Sequence, residues 1–387
     1  VKNRLTLRFT IKNITIKPSD RLTRAEIDLK AVRQNFRQLK RLAGKTGILA
    51  VVKADAYGHG AVEVSRALVS AGVDWLGVSD AAEGIVLRQN GIKKPILLFE
   101  SILPRFIREI VDHRLTPTVC TMEMARALSR YAQKKKRTVG VHVKVDTGMR
   151  RLGVWYSGAA GFIEEVHRLP GVTVEGLYTH FPLADRDRRF TLKQLAILED
   201  ILCALKKKDI AIRHVHAANS MGLIGFPHPV LTLARPGVMV YGLPPSLALR
   251  SKVALKPAMS VKTRVIFLKE ILPGEGISYG HTFVASRPMK VATLAIGYHD
   301  GYFRALSNKA HVLIGGRKCP VLGTVTMDQT MVDVTHLNSV KPGDEAVVLG
   351  AQPPNSVTAD DLAYWAGTIN YEIVCNLGNL LPRVFKK

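Results

Sequence analysis

The sequence predicts an α/β chain, an N-terminal (β/α)8 barrel of the TIM type followed by a mainly antiparallel β domain. Three observations carry that prediction. Eight short apolar runs rich in β-branched residues alternate with stretches of helical periodicity, and together they fill most of the roughly 250 residues that such a barrel typically needs. No G-x-G-x-x-G turn follows the first run, as it would in an open, doubly wound dinucleotide-binding sheet. Beyond about Pro257 the helical stretches nearly vanish, and strands follow one another across Pro/Gly turns.

Residues 1–22 form a basic extension in which charges interrupt every apolar run. That pattern offers neither a signal-peptide core nor a membrane span, and reads as an edge strand or a basic tail. The barrel domain is placed at 23–256. Its strands are "ILAVVKA" (Ile48 to Ala54), "WLGVS" (Trp75 to Ser79), "PILLF" (Pro95 to Phe99), "LTPTV" (Leu115 to Val119), "GVHVKVD" (Gly140 to Asp146), "VEGLYTH" (Val174 to His180), "IRHVHAA" (Ile212 to Ala218) and "GVMVYG" (Gly237 to Gly242). Between them, "AVEVSRALVSAG" and "AAEGIVLRQNG" carry apolar residues at helical spacing and a glycine where a C-cap falls. The second domain is placed at 257–387, with strands in "MSVKTRVIFLKEILPGEGISYG", "KVATLAIG", "AHVLIGGRKCPVLGTVTMDQTMVDVT" and "DEAVVLG". One helix interrupts it at "SVTADDLAYWAG", capped by Thr358 with Asp360 and Asp361 in the first turn, and "INYEIVCNLGNLLPRVF" returns to strand character.

Lys and Arg outnumber Asp and Glu by 56 to 31, a formal charge of +25. The excess is scattered. "KKKR" (Lys134 to Arg137) and "KKK" (Lys206 to Lys208) read as solvated helix ends, and no aromatic-interleaved basic patch accompanies them, so nucleic acid is not an expected partner. The four cysteines are too few and too far apart for a disulfide scaffold or a zinc knuckle, so no metal is expected and a reducing, cytoplasmic compartment is the simple reading.

The stretch "VVKADAYGHG" places Lys53 just behind an apolar run. A lysine at a strand end commonly extends its amine into water. In a barrel mouth, though, partial desolvation lowers the amine pKa from about 10.4 and makes it a candidate Schiff-base nucleophile and general base. Barrel active sites lie at strand C-termini, and Lys144, Asp146, His180 and His216 fall toward other such ends. "KVDTGMRRLG" adds two adjacent arginines, one of which could grip a carboxylate in bidentate fashion. "HVHAANS" adds Asn219 and Ser220, and "ARPG" supplies Arg235 before what reads as the last strand. In the second domain Tyr279 sits in a Gly-bounded turn. Acting as a base near neutrality would require its pKa, about 10 when free, to fall by roughly three units.

These ordered segments closely resemble the alanine racemases, pyridoxal-phosphate (PLP) enzymes with a barrel followed by a β domain. The likeness runs from "TRAEIDL" (Thr23 to Leu29) almost to the end, through "VVKADAYGHG", "KVDTGMRRLG", "HAANS", "RPGVMVYG", "SYG", "GYHDGY" and "TMDQ". The resemblance implies that Lys53 carries PLP as a Schiff base and serves as acid and base on one face of Cα, while Tyr279 from the partner subunit of a homodimer serves the other. It implies phosphate contacts from Tyr57, Ser220, the backbone of Gly237 and Val238, and Tyr371, with Asn219 in the same cofactor-binding segment. Arg235 would face the pyridine nitrogen with His216 behind it, and His180 would lie against the ring. Arg151 would stand near the substrate carboxylate, and Lys144 matches a lysine often carbamylated in this family. Met327 and Tyr298 would line the substrate entrance, with Asp328 steadying that loop. The activity implied is interconversion of L- and D-alanine, supplying D-alanine for bacterial cell-wall synthesis, with a broader amino-acid racemase as the alternative.

Three positions depart from the family pattern. Arg150 stands where glycine is usual, Thr326 where cysteine is frequent, and Leu380 where arginine is usual. The first raises the question of which arginine turns inward.

Overall fold

The computed structural model describes residues 17–101, 103–246 and 253–387. Most of the basic extension, residues 1–16, lies outside the described residues. The chain divides into two compact units: Asp28–Ala258, and the described residues up to Ile27 together with Met259–Lys386.

After β1 (Arg24–Asp28), the first unit holds β2 (Gly47–Val51), β3 (Trp75–Val78), β4 (Ile96–Ser101), β5 (Thr116–Val119), β6 (Val139–Asp146), the short β7 (Val154–Trp155), β8 (Val172–Tyr178), β9 (His214–His216) and β10 (Leu233–Ala234). Eight of these run in parallel in the order β10-β2-β3-β4-β5-β6-β8-β9, with β7 on the flank of β6. The ring closes where the Thr232 amide donates to the Val215 carbonyl (2.8 Å) and the Arg235 amide to the Ala218 carbonyl (2.8 Å). Because helices cover the outside and side chains fill the inside, residues on both strand faces are buried. Residues 48–51 of β2 are accordingly all buried.

Helices are set by caps and apolar spacing. Leu29–Ala43 starts at Asp28, whose carboxylate accepts from the Ala31 amide (2.8 Å), and buries Leu29, Val32, Phe36 and Leu39 on one face.

The second unit contains β11 (Met259–Ile271), β12 (Gly276–Ile277), β13 (Phe283–Val284), β14 (Met289–Leu294), β15 (His311–Ile314), β16 (Arg317–Pro320), β17 (Thr330–Asp333), β18 (Glu345–Gln352), β19 (Asn355–Val357) and β20 (Arg383–Lys386). The long strand β11 is its spine, pairing antiparallel with β1, β14 and β18. The helix Ala359–Ala366 begins at Thr358 in a reciprocal capping box with Asp361.

Three expectations change. "GVMVYG" is not a strand: the eighth strand is β10, just ahead of Arg235, and Val238–Tyr241 form a 3-10 turn closed by Gly242 at φ 83°. Pro236 has no N–H to continue the ladder, and the Gly237 amide turns to the Ser220 hydroxyl (3.2 Å). Second, Asn370–Leu380 is a helix, with Ile373, Val374 and Leu377 buried at helical spacing, and only Arg383–Lys386 is a strand. Third, the barrel unit begins at Asp28 rather than Thr23. Arg24 to Ile27 pair with β11 from Lys262 back to Met259, because β1 supplies a strand that the second unit's sheet would otherwise lack.

Candidate active site

Lys53 follows β2 and is half-buried. The four residues after it, Ala54, Asp55, Ala56 and Tyr57, have φ of 51°, 51°, 56° and 54°. Left-handed backbone costs an L-residue about 1–2 kcal/mol, so a run of four persists only where its surroundings hold it. They do. One oxygen of Glu83 accepts from the Ala54 amide (2.7 Å) and the other from the Ser79 amide (2.8 Å). Asp55 accepts from the Ala61 amide (2.6 Å). His59 stacks on Tyr241 at 4.5 Å, and the Tyr241 hydroxyl donates to the Val51 carbonyl (2.8 Å), tying the turn to the strand it leaves.

Arg235 is buried in the barrel. It donates to His216 Nδ1 (2.8 Å), to the Thr179 carbonyl (2.7 Å) and to the Ala217 carbonyl (3.1 Å), and lies 3.3 Å from His180 Nδ1. Burial brings its pKa down to about 10, which still leaves it protonated at neutrality.

The electrostatics show which side chains share one mouth. His180 is depressed to about 3, first by burial and then by Arg235, Lys144, Arg151 and Lys53. Lys144, on β6 and buried, falls to about 8 through burial, Arg151 and Arg235. Arg150 exerts no comparable effect; its guanidinium sits 4.2 Å over the Trp155 ring. Of the two adjacent arginines, Arg151 is therefore the one turned to the site, and the glycine-to-arginine departure adds a surface stack. Asp146 holds the turn between them and β6, accepting from the amides of Gly148 (2.8 Å) and Arg150 (3.1 Å).

A second group of donors meets beside this mouth. A Cβ on Gly237 would lie 2.4 Å from the Tyr57 hydroxyl, so only glycine lets that hydroxyl approach the backbone. Ser220 Oγ accepts from the Gly237 amide, while Asn219 caps the helix Ser220–Gly225 through the Gly222 amide (2.9 Å). Val238 opens the next turn. Two hydroxyls, a glycine cradle and two element starts without a carboxylate among them suit a phosphate dianion. With a half-buried amine and a protonated guanidinium nearby, the residues present fit PLP.

In the second unit, Tyr279, Met327 and Tyr298 are 75 %, 53 % and 42 % exposed. Their loops are laced together: Ser278 Oγ donates to the Thr324 carbonyl (2.6 Å), Thr324 Oγ1 to the Tyr279 carbonyl (2.9 Å), and the Tyr298 amide to the Thr326 carbonyl (3.0 Å). Gly297 is needed for that approach, since a Cβ there would fall 2.2 Å from the Met327 carbonyl oxygen. Asp328 is exposed beside Met327, and Tyr371 is half-buried at the start of the helix Asn370–Leu380. Thr326 Oγ1 donates to the Gln329 carbonyl (2.9 Å), closing its own loop, and Leu380 is an exposed helix end.

Sequence reasoning missed Glu83 and His142. Glu83 stands three residues after the helix cap Asp80, a spacing that flags a reach back to the backbone. His142 shares the period-two face of "HVKVD" with Lys144 and Asp146, which was a usable signal.

Comparison with known proteins matches residues 27–245 to the alanine racemase N-terminal domain and 258–385 to the alanine racemase C-terminal domain. The chain is 45 % identical over 368 residues to the alanine racemase of Halothermothrix orenii, covering 95 % of this chain and 97 % of that one. It is 42 % identical over 363 residues to that of Carboxydothermus hydrogenoformans, covering 93 % and 98 %. Among solved structures, an alanine racemase from Clostridium difficile superposes with a TM-score of 0.90 at 36 % identity, over 95 % of this chain and 96 % of that chain.

Proposed function

The chain belongs to the alanine racemase family, and we propose how its own residues carry the PLP-dependent interconversion of L- and D-alanine that membership entails. When bound, PLP withdraws electrons from the substrate and makes its Cα hydrogen acidic. Tyr57, Ser220, Gly237 and Val238 would hold its phosphate end, with Asn219 in the same cofactor-binding segment; the family resemblance adds Tyr371 to that role, and Arg235, backed by His216, would serve its ring nitrogen. A guanidinium that remains protonated would donate a hydrogen bond there without surrendering its proton, which would restrain charge from spreading onto the ring. The neutral imidazole of His180 would serve the same ring.

The Lys53 amine accepts or returns a proton on one face of Cα. On the other face the partner's Tyr279 does the same, with Met327 and Tyr298 lining the entrance from that side and Asp328 steadying their loop. Arg151 grips the carboxylate, and Lys144, its pKa lowered, is the amine disposed to carbamylation beside it. Two proton donors on opposite faces convert removal on one side into return on the other. The crowding of Lys53, Lys144, Arg151 and Arg235 around His180 is the observation that carries this reading. The exposure of Tyr279, Tyr298 and Met327 on laced loops supports a homodimer with shared sites, since these large side chains stand ready to be covered by a second copy of the chain. No helix among the described residues is long and apolar enough to cross a membrane. A cytoplasmic enzyme supplying D-alanine to peptidoglycan synthesis is the setting we propose.

Deuterium uptake from solvent into each alanine enantiomer tests both faces. Lys53→Ala and Tyr279→Phe homodimers should each fail, while mixing and reassembling the two should restore about a quarter of the sites' activity; no recovery in verified mixed dimers would refute sites shared between subunits.

A further inference from the structure

We propose that His142, in the core of the barrel, is a positioning residue that fixes the tautomer of His216 and thereby the donor orientation of Arg235. The inference rests on the reading of Arg235 given above, and its geometry stands independently. Arginine has only donors. Its 2.8 Å contact with His216 Nδ1 therefore requires an unprotonated Nδ1, which leaves the His216 proton on Nε2. That Nε2 lies 2.8 Å from His142 Nδ1, so His142 must accept at Nδ1 and carry its own proton on Nε2. The His142 Nε2 atom is buried without a hydrogen-bond partner among the described residues. A three-member chain thus runs in one direction, Arg235 to His216 to His142, and ends on an N–H facing the apolar interior.

The surroundings are built around that ending. His142 is opposite Gly176 in the β6–β8 ladder, and a Cβ at residue 176 would come within 2.5 Å of the imidazole, so the ring occupies a slot that glycine leaves open. Trp75 and His214 pack on it at 5.1 and 5.9 Å between centroids, and Tyr178 stacks on His216 at 4.6 Å with rings 8° from parallel. Burial first, and then Arg235 and His214, oppose a positive imidazole on either ring; Tyr178, the other titratable group facing the pair, has its phenol pKa pushed up by burial and adds no charge. An imidazolium at His142 would present Nδ1–H to the Nε2–H of His216, two donors in contact. Arg235 sets the polarity, and no donor meets His142 Nε2 among the described residues to draw the proton arrangement into its mirror image, with His216 confronting Arg235 donor to donor.

Histidine-selective 15N NMR of the PLP-loaded enzyme reads the arrangement directly. Both His142 and His216 should show an unprotonated Nδ1 and a protonated Nε2 across pH 6 to 8. A protonated Nδ1 on either would overturn the proposal. Among variants, His142→Asn places an acceptor where Nδ1 was, whereas His142→Leu does not. The Leu variant should mix His216 tautomers and lower kcat by roughly tenfold, the equivalent of one hydrogen bond, with KM little changed. The Asn variant should restore the single His216 tautomer and most of kcat. Equal behaviour of two folded variants, matched in melting temperature, would assign His142 to packing alone and overturn the proposal. PLP occupancy, followed separately by absorbance, distinguishes this outcome from failure of the cofactor reading.

Discussion

Gly237→Ala offers the sharpest test of the phosphate cradle. The new Cβ would stand 2.4 Å from the Tyr57 hydroxyl, where ordinary contact starts at 3.4 Å, so the hydroxyl must retreat by about 1 Å. Retreat is difficult, because Tyr57 ends the left-handed run and its ring leans on Tyr241 at 5.0 Å. A hydrogen bond to a charged group contributes about 1.5–3 kcal/mol, so losing it weakens PLP binding roughly 10- to 150-fold. The assay is equilibrium dialysis of PLP against the apoenzyme, for the native protein, Gly237→Ala, Tyr57→Phe and the double variant. If the methyl acts by pushing the hydroxyl off the phosphate, removing that hydroxyl in the alanine background costs almost nothing, and the double variant binds like Gly237→Ala. Strict additivity of the two changes, or an undiminished affinity in Gly237→Ala, would refute the reasoning.

Lys144, with its amine at about 8, should form a carbamate in 13C-bicarbonate at pH 8.5 but little at pH 6; the carbon resonance should vanish in Lys144→Arg, and its persistence would locate the reaction elsewhere. Burial raises the pKa of Glu26, but Lys386, Lys262 and Arg24 more than offset it and hold the carboxyl below the usual range. Its contribution is therefore complete above about pH 4.5 and is lost as pH falls through the lowered folded value. Chemical denaturation at pH 7 should show Glu26→Gln about 1 kcal/mol less stable, as expected where the partner cations stay in reach of water, with the deficit shrinking below pH 4. Arg150→Gly, which removes only the stack on Trp155, should leave the alanine KM within about twofold, whereas Arg151→Gly should raise it by roughly tenfold or more; comparable KM values would reverse the assignment of the two arginines.

The barrel was legible because each βα unit repeats the same contrast, a β-branched run followed by a 3.6-residue period. Where that contrast fails, so does the reading. Val238, Met239, Val240 and Tyr241 are all buried, and a run apolar on every side has no period to separate strand from 3-10 turn. The evidence for the true boundary was Pro236, which cannot continue a ladder. In Asn370–Leu380 the period was present at Ile373, Val374 and Leu377, but the β-rich texture before it outweighed the spacing. The nearness of Lys53, Lys144 and His180 could be inferred from strand ends alone, whereas Arg235 fell before the expected last strand and joins them only because the eighth strand is Leu233–Ala234. The left-handed run after Lys53 could not, since Ala, Asp and Tyr carry no local preference for positive φ strong enough to announce four in succession. It exists because Glu83 and Tyr241, distant in sequence, hold it.

The barrel mouth concentrates positive charge: Lys53, Lys144, Arg151 and Arg235 all act on His180. Burial and the neighbouring cations together bring Lys144 to about 8 and His180 to about 3. For both groups the unfolded chain binds more protons than the folded one, from about 8 to 10.5 for Lys144 and from about 3 to 6.5 for His180. The protein therefore gains stability as pH rises through each window and carries the remaining cost below it. Such an arrangement is unfavourable for a structural core and suited to anionic occupants. A phosphate and a carboxylate meet cations on several sides there, so the charge that costs the folded chain stability favours anionic ligands. Neutral His180 completes the arrangement, because it sits beside those cations without adding another.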